Sequence, residues 1–199
     1  MEQQLILTVG REFGSGGHEI AQKLAEHYKL SLYDSNILKE IAVERNLDSE
    51  VLEEFDESKR KIGLSRTVRG ISSSPEHNVA NMQFDFLKNK AEAGESFVVV
   101  GRCGETILKD YPTMISIFVL GDKETKLERI SKLYHVSLEK AEKQMMDMDR
   151  KRKQYHNSHC PGKWGDSRNY EVSINSSKLG IEGCMQFLIE YINARLKHC

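Results

Sequence analysis

The sequence lacks the features that mark secreted proteins and membrane proteins. It contains only four cysteines (Cys103, Cys160, Cys184 and Cys199), scattered without close pairing, which fits a reducing cytoplasm rather than a disulfide framework. No apolar run approaches the roughly 20 residues of a membrane span. No basic segment precedes the first apolar stretch, so a signal peptide is not expected. We therefore predict a cytoplasmic protein without a membrane partner.

The sequence also lacks a large net charge and a complete set of metal ligands. The formal net charge is −1, so no global field recruits nucleic acid. His156, His159 and Cys160 lie close together, but no second ligand cluster completes a zinc site, and we predict no metal-binding residues. The remaining composition, 39% hydrophobic and 30% charged over 199 residues, is typical of a single globular domain. The oligomeric state is left open.

A glycine-rich turn is the most distinctive segment that is present. The apolar strand LILTV at 5–9 runs into GREFGSGGH at 10–18, and a helical pattern follows at once. Glycines let the backbone bend tightly and turn its N–H groups inward, while the helix dipole adds partial positive charge. The turn therefore predicts a cradle for a phosphate group. Its candidate phosphate-binding residues are Gly10, Gly14, Ser15, Gly16, Gly17 and His18.

This turn lacks the lysine that usually accompanies such a cradle. A standard phosphate-binding loop ends in Gly-Lys-Ser or Gly-Lys-Thr. Here Gly17 stands at the lysine position, and His18 stands where a hydroxyl residue usually holds magnesium. The interval from Gly10 to Gly16 is also one residue longer than usual. We hypothesise that Arg11 replaces the lysine by folding back over the loop.

Strands and helices alternate along the rest of the chain. Further apolar strands are predicted at 30–33, 97–100, 115–120 and 170–174, with helical patterns between them. The first strand–helix–strand unit spans about thirty residues, which implies that its two strands are parallel. The sequence thus predicts an α/β fold with about five parallel strands flanked by helices.

Polar residues follow two of these strands, and two helical excursions interrupt the alternation. Asp34 and Ser35 come after the second strand and Arg102 after the third, at the strand ends where a parallel sheet binds ligands. The excursions run over about 36–95 and 121–169. We expect the strand-end residues to converge on one site.

Each excursion carries cationic residues. In the first, a helix over 37–62 precedes a polar, mobile loop over 65–75, whose Arg66 and Arg69 face either solvent or an acceptor phosphate. In the second, DMDRKRK at 147–153 forms either a solvated helical face or part of a catalytic site. The residues alone leave both choices open.

Several segments form an ordered set across nearly the whole chain. They are GREFGSGGHEIA at 10–21, YDS at 33–35, GRCGETIL at 101–108, MDRKRKQY at 148–155 and WGDSRNYEVSINSSKLGIE at 164–182. Together they resemble the nucleoside monophosphate kinases, specifically the cytidylate kinase-like branch of the P-loop fold. Two positions depart from that pattern, because Cys103 replaces the acid of Gly-Arg-Asp and Asn36 replaces the glycine of Asp-Ser-Gly.

The resemblance implies a P-loop NTPase fold and transfer of a phosphoryl group from ATP to a nucleoside monophosphate, with CMP or dCMP favoured. A single kinase-like domain would have its core at 1–35, 96–120 and 170–199, which holds ATP. The 36–95 insertion would bind the acceptor, and the 121–169 insertion would close as a lid. Mg²⁺ would bridge the ATP phosphates without a dedicated protein ligand.

The same resemblance gives roles to particular residues. The candidate acceptor-binding residues are Asp34, Ser35 and Arg102. The candidate catalytic residues are Arg11, Arg150 and Arg152, because planar guanidinium groups bind phosphate oxygens in pairs. Trp164 and Tyr170 are interpreted as packing residues, with stacking on a nucleobase as the alternative. Two other functions stay open: a P-loop kinase for another small acceptor, and a non-catalytic nucleotide- or phosphate-binding protein.

Overall fold

The computed structural model of the protein describes residues 3–45, 67–68, 71–72 and 75–198. Its strands are β1 (Ile6–Arg11), β2 (Ser31–Tyr33), β3 (Thr67–Val68), β4 (Ile71–Ser72), β5 (Phe97–Val100), β6 (Met114–Leu120) and β7 (Val172–Asn175). A parallel sheet runs in the order β2-β5-β1-β6-β7, whereas β3 and β4 form an antiparallel pair. The predicted α/β fold with five parallel strands is confirmed.

Helices flank this sheet on both faces. They are α1 (Gly17–Tyr28), α2 (Ile37–Arg45), α3 (Pro75–Glu92), α4 (Gly104–Ile107), α5 (Lys123–Tyr134), α6 (Leu138–His159) and α7 (Ser176–Leu196). A 3₁₀ turn, Ser167–Asn169, precedes β7. Within the described ranges, none of the helices has the length and apolar content needed to cross a bilayer.

The central strand β1 is buried on both faces, as its continuous apolar sequence predicts. On one face Leu7 packs in a cluster that includes Leu24 of α1 and Leu188 of α7. On the other face Ile6 packs in a cluster that includes Leu87 of α3. All five side chains are fully buried, so the alternation of side chains along β1 joins two hydrophobic cores.

The register of the sheet determines where a ligand site can form. Val9 of β1 pairs with Val100 of β5, and Arg11 at the end of β1 pairs with Val119 of β6. Because parallel strands end at the same edge of a sheet, the turns that follow β1, β2 and β5 lie side by side. This edge carries the glycine loop at 10–18.

Two predictions in the first excursion have different outcomes. The helix predicted over 37–62 is present over Ile37–Arg45, and its remainder lies outside the described residues, as do Arg66 and Arg69. The prediction of a loop over 65–75 is wrong for residues 67–68 and 71–72, which form strands. Thr67–Val68 pairs with Ile71–Ser72, consistent with the preference of β-branched residues for strands.

The C-terminal helix α7 buries one face against the sheet and exposes one large aromatic residue. Cys184 and Leu188 are buried, whereas Phe187 is 45% exposed. Gly180 has a non-helical backbone with φ of +66°, which kinks α7 in its second turn. The kink separates the first turn, which contacts the glycine loop, from the part that packs on the sheet.

Candidate active site

The glycine loop connects β1 to α1 through two positions that only glycine fits well. Gly16 precedes α1 with φ of +79°, in the left-handed region that L side chains rarely adopt. At Gly17 a Cβ atom would lie 2.5 Å from the Cβ of Arg11. Glycine at 17 therefore allows α1 to start directly against the end of β1.

Hydrogen bonds within the protein fix the shape of this loop. The Ser15 hydroxyl donates to the Glu12 carbonyl (2.8 Å), and the Gly17 N–H donates to the Ser15 hydroxyl oxygen (3.3 Å). The Phe13 N–H donates to Asp149 Oδ1 on α6 (2.7 Å). Burial raises the pKa of Asp149. The loop is thus joined to the predicted lid insertion by the half-buried carboxyl group of Asp149.

Side chains of α5 and α7 cover the middle of the loop. A Cβ at Gly14 would meet Ile130, and one at Gly16 would meet Ile181. The residues that line the cavity described below do not include Gly14, Ser15, Gly16 or Gly17. Their role in phosphate binding stays a prediction.

Ser176 at the start of α7 holds the loop in place, and replacing it tests this contact. Its buried hydroxyl lies 2.6 Å from the Ser15 carbonyl oxygen and 3.1 Å from that of Leu120. We expect Ser176→Ala to lower the free energy of unfolding by about 1–3 kcal/mol, because buried acceptors lose their donor. Urea denaturation measures the change. Ser173→Ala, on the exposed face of β7, is the matched control, and an equal effect of both would contradict the contact.

A cavity of about 230 Å³ opens beside the loop, at the carboxyl edge of the sheet. It has room for one small ligand rather than for two nucleotides at once. Several candidate residues from separate segments line it: Gly10, Arg11, His18, Asp34, Ser35, Arg102 and Arg152. Arg150 is not among the lining residues, and its exposed guanidinium pairs with Asp147 (2.7 Å). This position favours Arg152 over Arg150 for the predicted catalytic role.

Three arginines meet in this cavity. The Arg11 guanidinium lies beside Gly101, where a Cβ would collide with it, so it extends toward the end of β5. Arg152 Nη1 donates to the Arg11 carbonyl (3.2 Å), and its guanidinium lies 5.5 Å from the Phe13 ring centroid. Arg102 is 9% exposed. Concentrated positive charge in a partly closed cavity attracts an anion.

The backbone at the end of β5 is strained. Arg102 and Cys103 are consecutive non-glycine residues with φ of +57° and +56°. Each such residue costs of order 1–3 kcal/mol and persists only where the surroundings hold it. The turn directs Arg102 into the cavity, with its guanidinium 5.9 Å from the Tyr155 ring centroid.

Asp34 pairs with His18 across the cavity entrance (2.7 Å). It also accepts a hydrogen bond from the Asn36 N–H (3.0 Å). Burial raises the pKa of Asp34, but the hydrogen bonds, that of His18 foremost, outweigh it and hold the pKa below its ordinary value. Asp34 therefore carries negative charge at neutral pH and orients His18.

Replacing His18 with alanine should raise the pKa of Asp34. Burial raises this pKa, and the variant loses the hydrogen bond that lowers it most. A carboxyl with a lowered pKa contributes stability above its unfolded value of about 3.9 and loses it as pH falls through the folded value. In His18→Ala this loss starts at a higher pH. NMR titration of the Asp34 carboxyl carbon measures the shift. His27→Ala, exposed near the end of the same helix, should leave it unchanged, and an unaltered pKa in His18→Ala would refute the pairing.

Residues that the sequence did not assign to this site also line the cavity. Glu105 of α4 and His156 of α6 are buried and hydrogen-bonded to each other (2.7 Å). Tyr155 also faces the cavity. A signal for the α6 residues was present, because Arg152, Tyr155 and His156 lie at i, i+3 and i+4 on one helical face.

A group of titratable side chains surrounds His156. Burial alone would lower the pKa of His156, but hydrogen bonds with Cys160 and Glu105 outweigh it and raise the pKa to about 10. A hydrogen bond between the Cys103 and Cys160 thiols lowers the pKa of Cys160 and raises that of Cys103. Cys103 is buried.

Trp164 and Tyr170 both pack and line the cavity. Their rings lie 5.6 Å and 4.9 Å from the Phe118 ring, measured between centroids. Both also form part of the cavity wall. Each ring thus packs against Phe118, as the packing interpretation states, and also limits the space for a ligand.

Comparison with known proteins identifies the family. The pattern of the cytidylate kinase-like family matches residues 6–178. The chain belongs to this family. Two curated cytidylate kinases are similar in sequence. That of Methanopyrus kandleri is 28% identical over 147 residues, covering 73% of this chain and 71% of its own. That of Pyrococcus horikoshii is 26% identical over 184 residues, covering 92% and 85%.

Solved structures agree on the fold of this cytidylate kinase-like chain. An uncharacterized protein from Eubacterium ventriosum is 40% identical with a TM-score of 0.76, covering 96% of this chain and 99% of its own. Shikimate kinase from Bacteroides thetaiotaomicron is 12% identical with a TM-score of 0.55, covering 95% and 98%. This second likeness concerns the fold alone, and the predicted P-loop kinase fold is confirmed.

Proposed function

We propose that this protein is an ATP-dependent kinase that phosphorylates a nucleoside monophosphate, with CMP or dCMP favoured. The observation that carries the proposal is the convergence of Arg11, Arg102 and Arg152 on one cavity beside the glycine loop. Phosphoryl transfer is mainly a matter of positioning and charge stabilisation. Three guanidinium groups at one point supply both.

Each arginine has a proposed task. Arg102, at the end of β5, binds the acceptor phosphate, while Asp34 and Ser35 orient the rest of the acceptor. Arg152 and Arg11 stabilise the charge on the transferring phosphoryl group. A phosphate monoester has a second pKa near 6, so its attacking oxygen is already ionised at neutral pH. The reaction therefore needs no general base from the protein.

Contacts between α6 and the glycine loop support the proposed division into core, acceptor insertion and lid. The Phe13 N–H bonds to Asp149, and the Arg11 carbonyl accepts from Arg152. In this arrangement of the 121–169 insertion, these contacts hold Arg152 at the loop. Aromatic side chains of the cavity wall then exclude water from the transferring group.

The residues that line the cavity do not fit a dedicated magnesium site. Their carboxylates are Asp34 and Glu105, and each is hydrogen-bonded to a histidine. Position 18 offers an imidazole rather than a hydroxyl. We propose that Mg²⁺ arrives with ATP and is held by phosphate oxygens and water, and we assign it no protein-bound step.

A coupled assay for ADP formation tests the proposed function. It uses ATP, Mg²⁺ and a panel of CMP, dCMP, UMP, AMP and GMP. The expected result is turnover that is greatest with CMP or dCMP. Turnover that is greatest with a different acceptor would identify that acceptor as the substrate instead. The departures from the family pattern at Cys103 and Asn36 are the reason for testing this alternative. ATP binding without turnover on any acceptor would favour a non-catalytic nucleotide-binding protein.

A further inference from the structure

A cluster of metal-ligating side chains lies on the wall of the cavity. It contains Glu105 from α4, His156 from α6 and Cys160 directly after α6. One possible ligand atom of each lies within 4.8 Å of the others. The three residues are only 7%, 5% and 8% exposed. Buried groups of this kind are ordinarily paired or bound to a metal ion.

The donor atoms suit zinc rather than magnesium. Thiolate and imidazole ligands favour zinc, whereas magnesium requires oxygen ligands. In a tetrahedral site with bonds of about 2.0–2.3 Å, neighbouring ligand atoms lie about 3.3–3.8 Å apart. Glu105 Oε1 and His156 Nε2 lie 2.7 Å apart, so zinc binding requires these two atoms to separate to that spacing.

A fourth ligand is close by. Cys103 lies two residues before Glu105 and lines the same cavity as Glu105 and His156, and it is the candidate for this ligand. On the far side of the imidazole, His156 Nδ1 lies 3.3 Å from Asn157 Oδ1. Such outer partners orient the histidine ligands of zinc.

We propose that Glu105, His156, Cys160 and Cys103 form a zinc-binding site that joins the end of β5 to the end of α6. The sequence predicted no zinc site because His156, His159 and Cys160 lacked a second ligand cluster. The fold supplies that cluster from 51 residues earlier in the chain, and His159 is not part of it. A bound zinc ion holds the predicted lid insertion against the core.

Zinc and cobalt titrations of the full chain, after removal of any affinity tag and treatment with a chelator under reducing conditions, test the site. We expect about one zinc ion per chain. Cobalt should give the intense visible bands of a tetrahedral ion and a thiolate-to-cobalt charge-transfer band. Cobalt spectra of the wild-type chain need no variant, so a folding defect cannot obscure the result.

Matched variants locate the ion. Cys160→Ser and His156→Asn should each weaken zinc affinity by more than about 100-fold, the upper range of effects from outer-shell partners alone. Cys184→Ser, buried in α7, and His159→Asn, one turn away on α6, should bind zinc as the wild type does. Circular dichroism confirms that each variant is folded.

Two results would overturn the zinc site. One is a wild-type chain that binds neither metal below micromolar concentration while its thiols react fully with an alkylating reagent. The other is a disulfide between Cys103 and Cys160 in the chain as isolated, with no metal bound after its reduction. All titrations are done without nucleotide, so failure of the zinc site leaves the kinase assay unaffected.

Discussion

Arg152→Met should lower the rate constant of phosphoryl transfer by about 10³-fold, equivalent to about 4 kcal/mol of transition-state stabilisation. Arg152 reaches the cavity and contacts the loop carbonyl of Arg11. Methionine keeps an unbranched apolar stem against Phe13 but removes the charge that meets the transferring group. Steady-state kinetics with the preferred acceptor should show the loss in kcat, with a smaller change in the KM for ATP.

Arg150→Met is the matched comparison for this prediction. It removes the same charge from the same helix, but Arg150 is exposed and pairs with Asp147. We expect its kcat to stay within about twofold of the wild type, since exposed ion pairs contribute about 0–1 kcal/mol. Equal losses in both variants would contradict the assignment to Arg152, and so would wild-type activity of Arg152→Met.

Arg102→Met should raise the KM for the acceptor by about 100-fold. The variant loses charge-assisted hydrogen bonds to the acceptor phosphate, worth about 2–3 kcal/mol. Residue 102 has a left-handed backbone, which strains methionine as much as arginine. A change in backbone strain therefore does not explain a rise in the KM for the acceptor. Initial rates over a range of acceptor concentrations, at saturating ATP, measure the effect.

The KM for ATP separates acceptor binding from a general defect of the site. In Arg102→Met it should remain close to the wild-type value. Arg168→Met provides a control, because Arg168 is exposed and pairs with Asp166 outside the cavity. A large rise in the KM for ATP, with that for the acceptor unchanged, would place Arg102 on the donor side and refute its proposed task.

The fold was predictable because its signals are local. Apolar runs such as 97–100 specify buried strands, and the glycine turn at 10–18 marks the passage from strand to helix. The short strands of the first excursion were missed, because two residues such as Thr67–Val68 give too little periodicity.

The candidate site was predictable in outline only. Parallel strands end at one edge, so the sequence alone brings Arg11, Asp34 and Arg102 near one another. It could not choose between Arg150 and Arg152. Residues two apart on a helix point about 200° away from each other, so only one can face the cavity, and the packing of α6 decides which.

The sequence by itself determined the order of strands and helices, the glycine loop and the membership of the cytidylate kinase-like family. Those properties depend on residues that are neighbours along the chain. Only the tertiary structure decided that Arg11 extends toward Gly101 and that Glu105 meets His156. Such contacts join segments far apart in sequence, and their geometry depends on how the helices pack against the sheet.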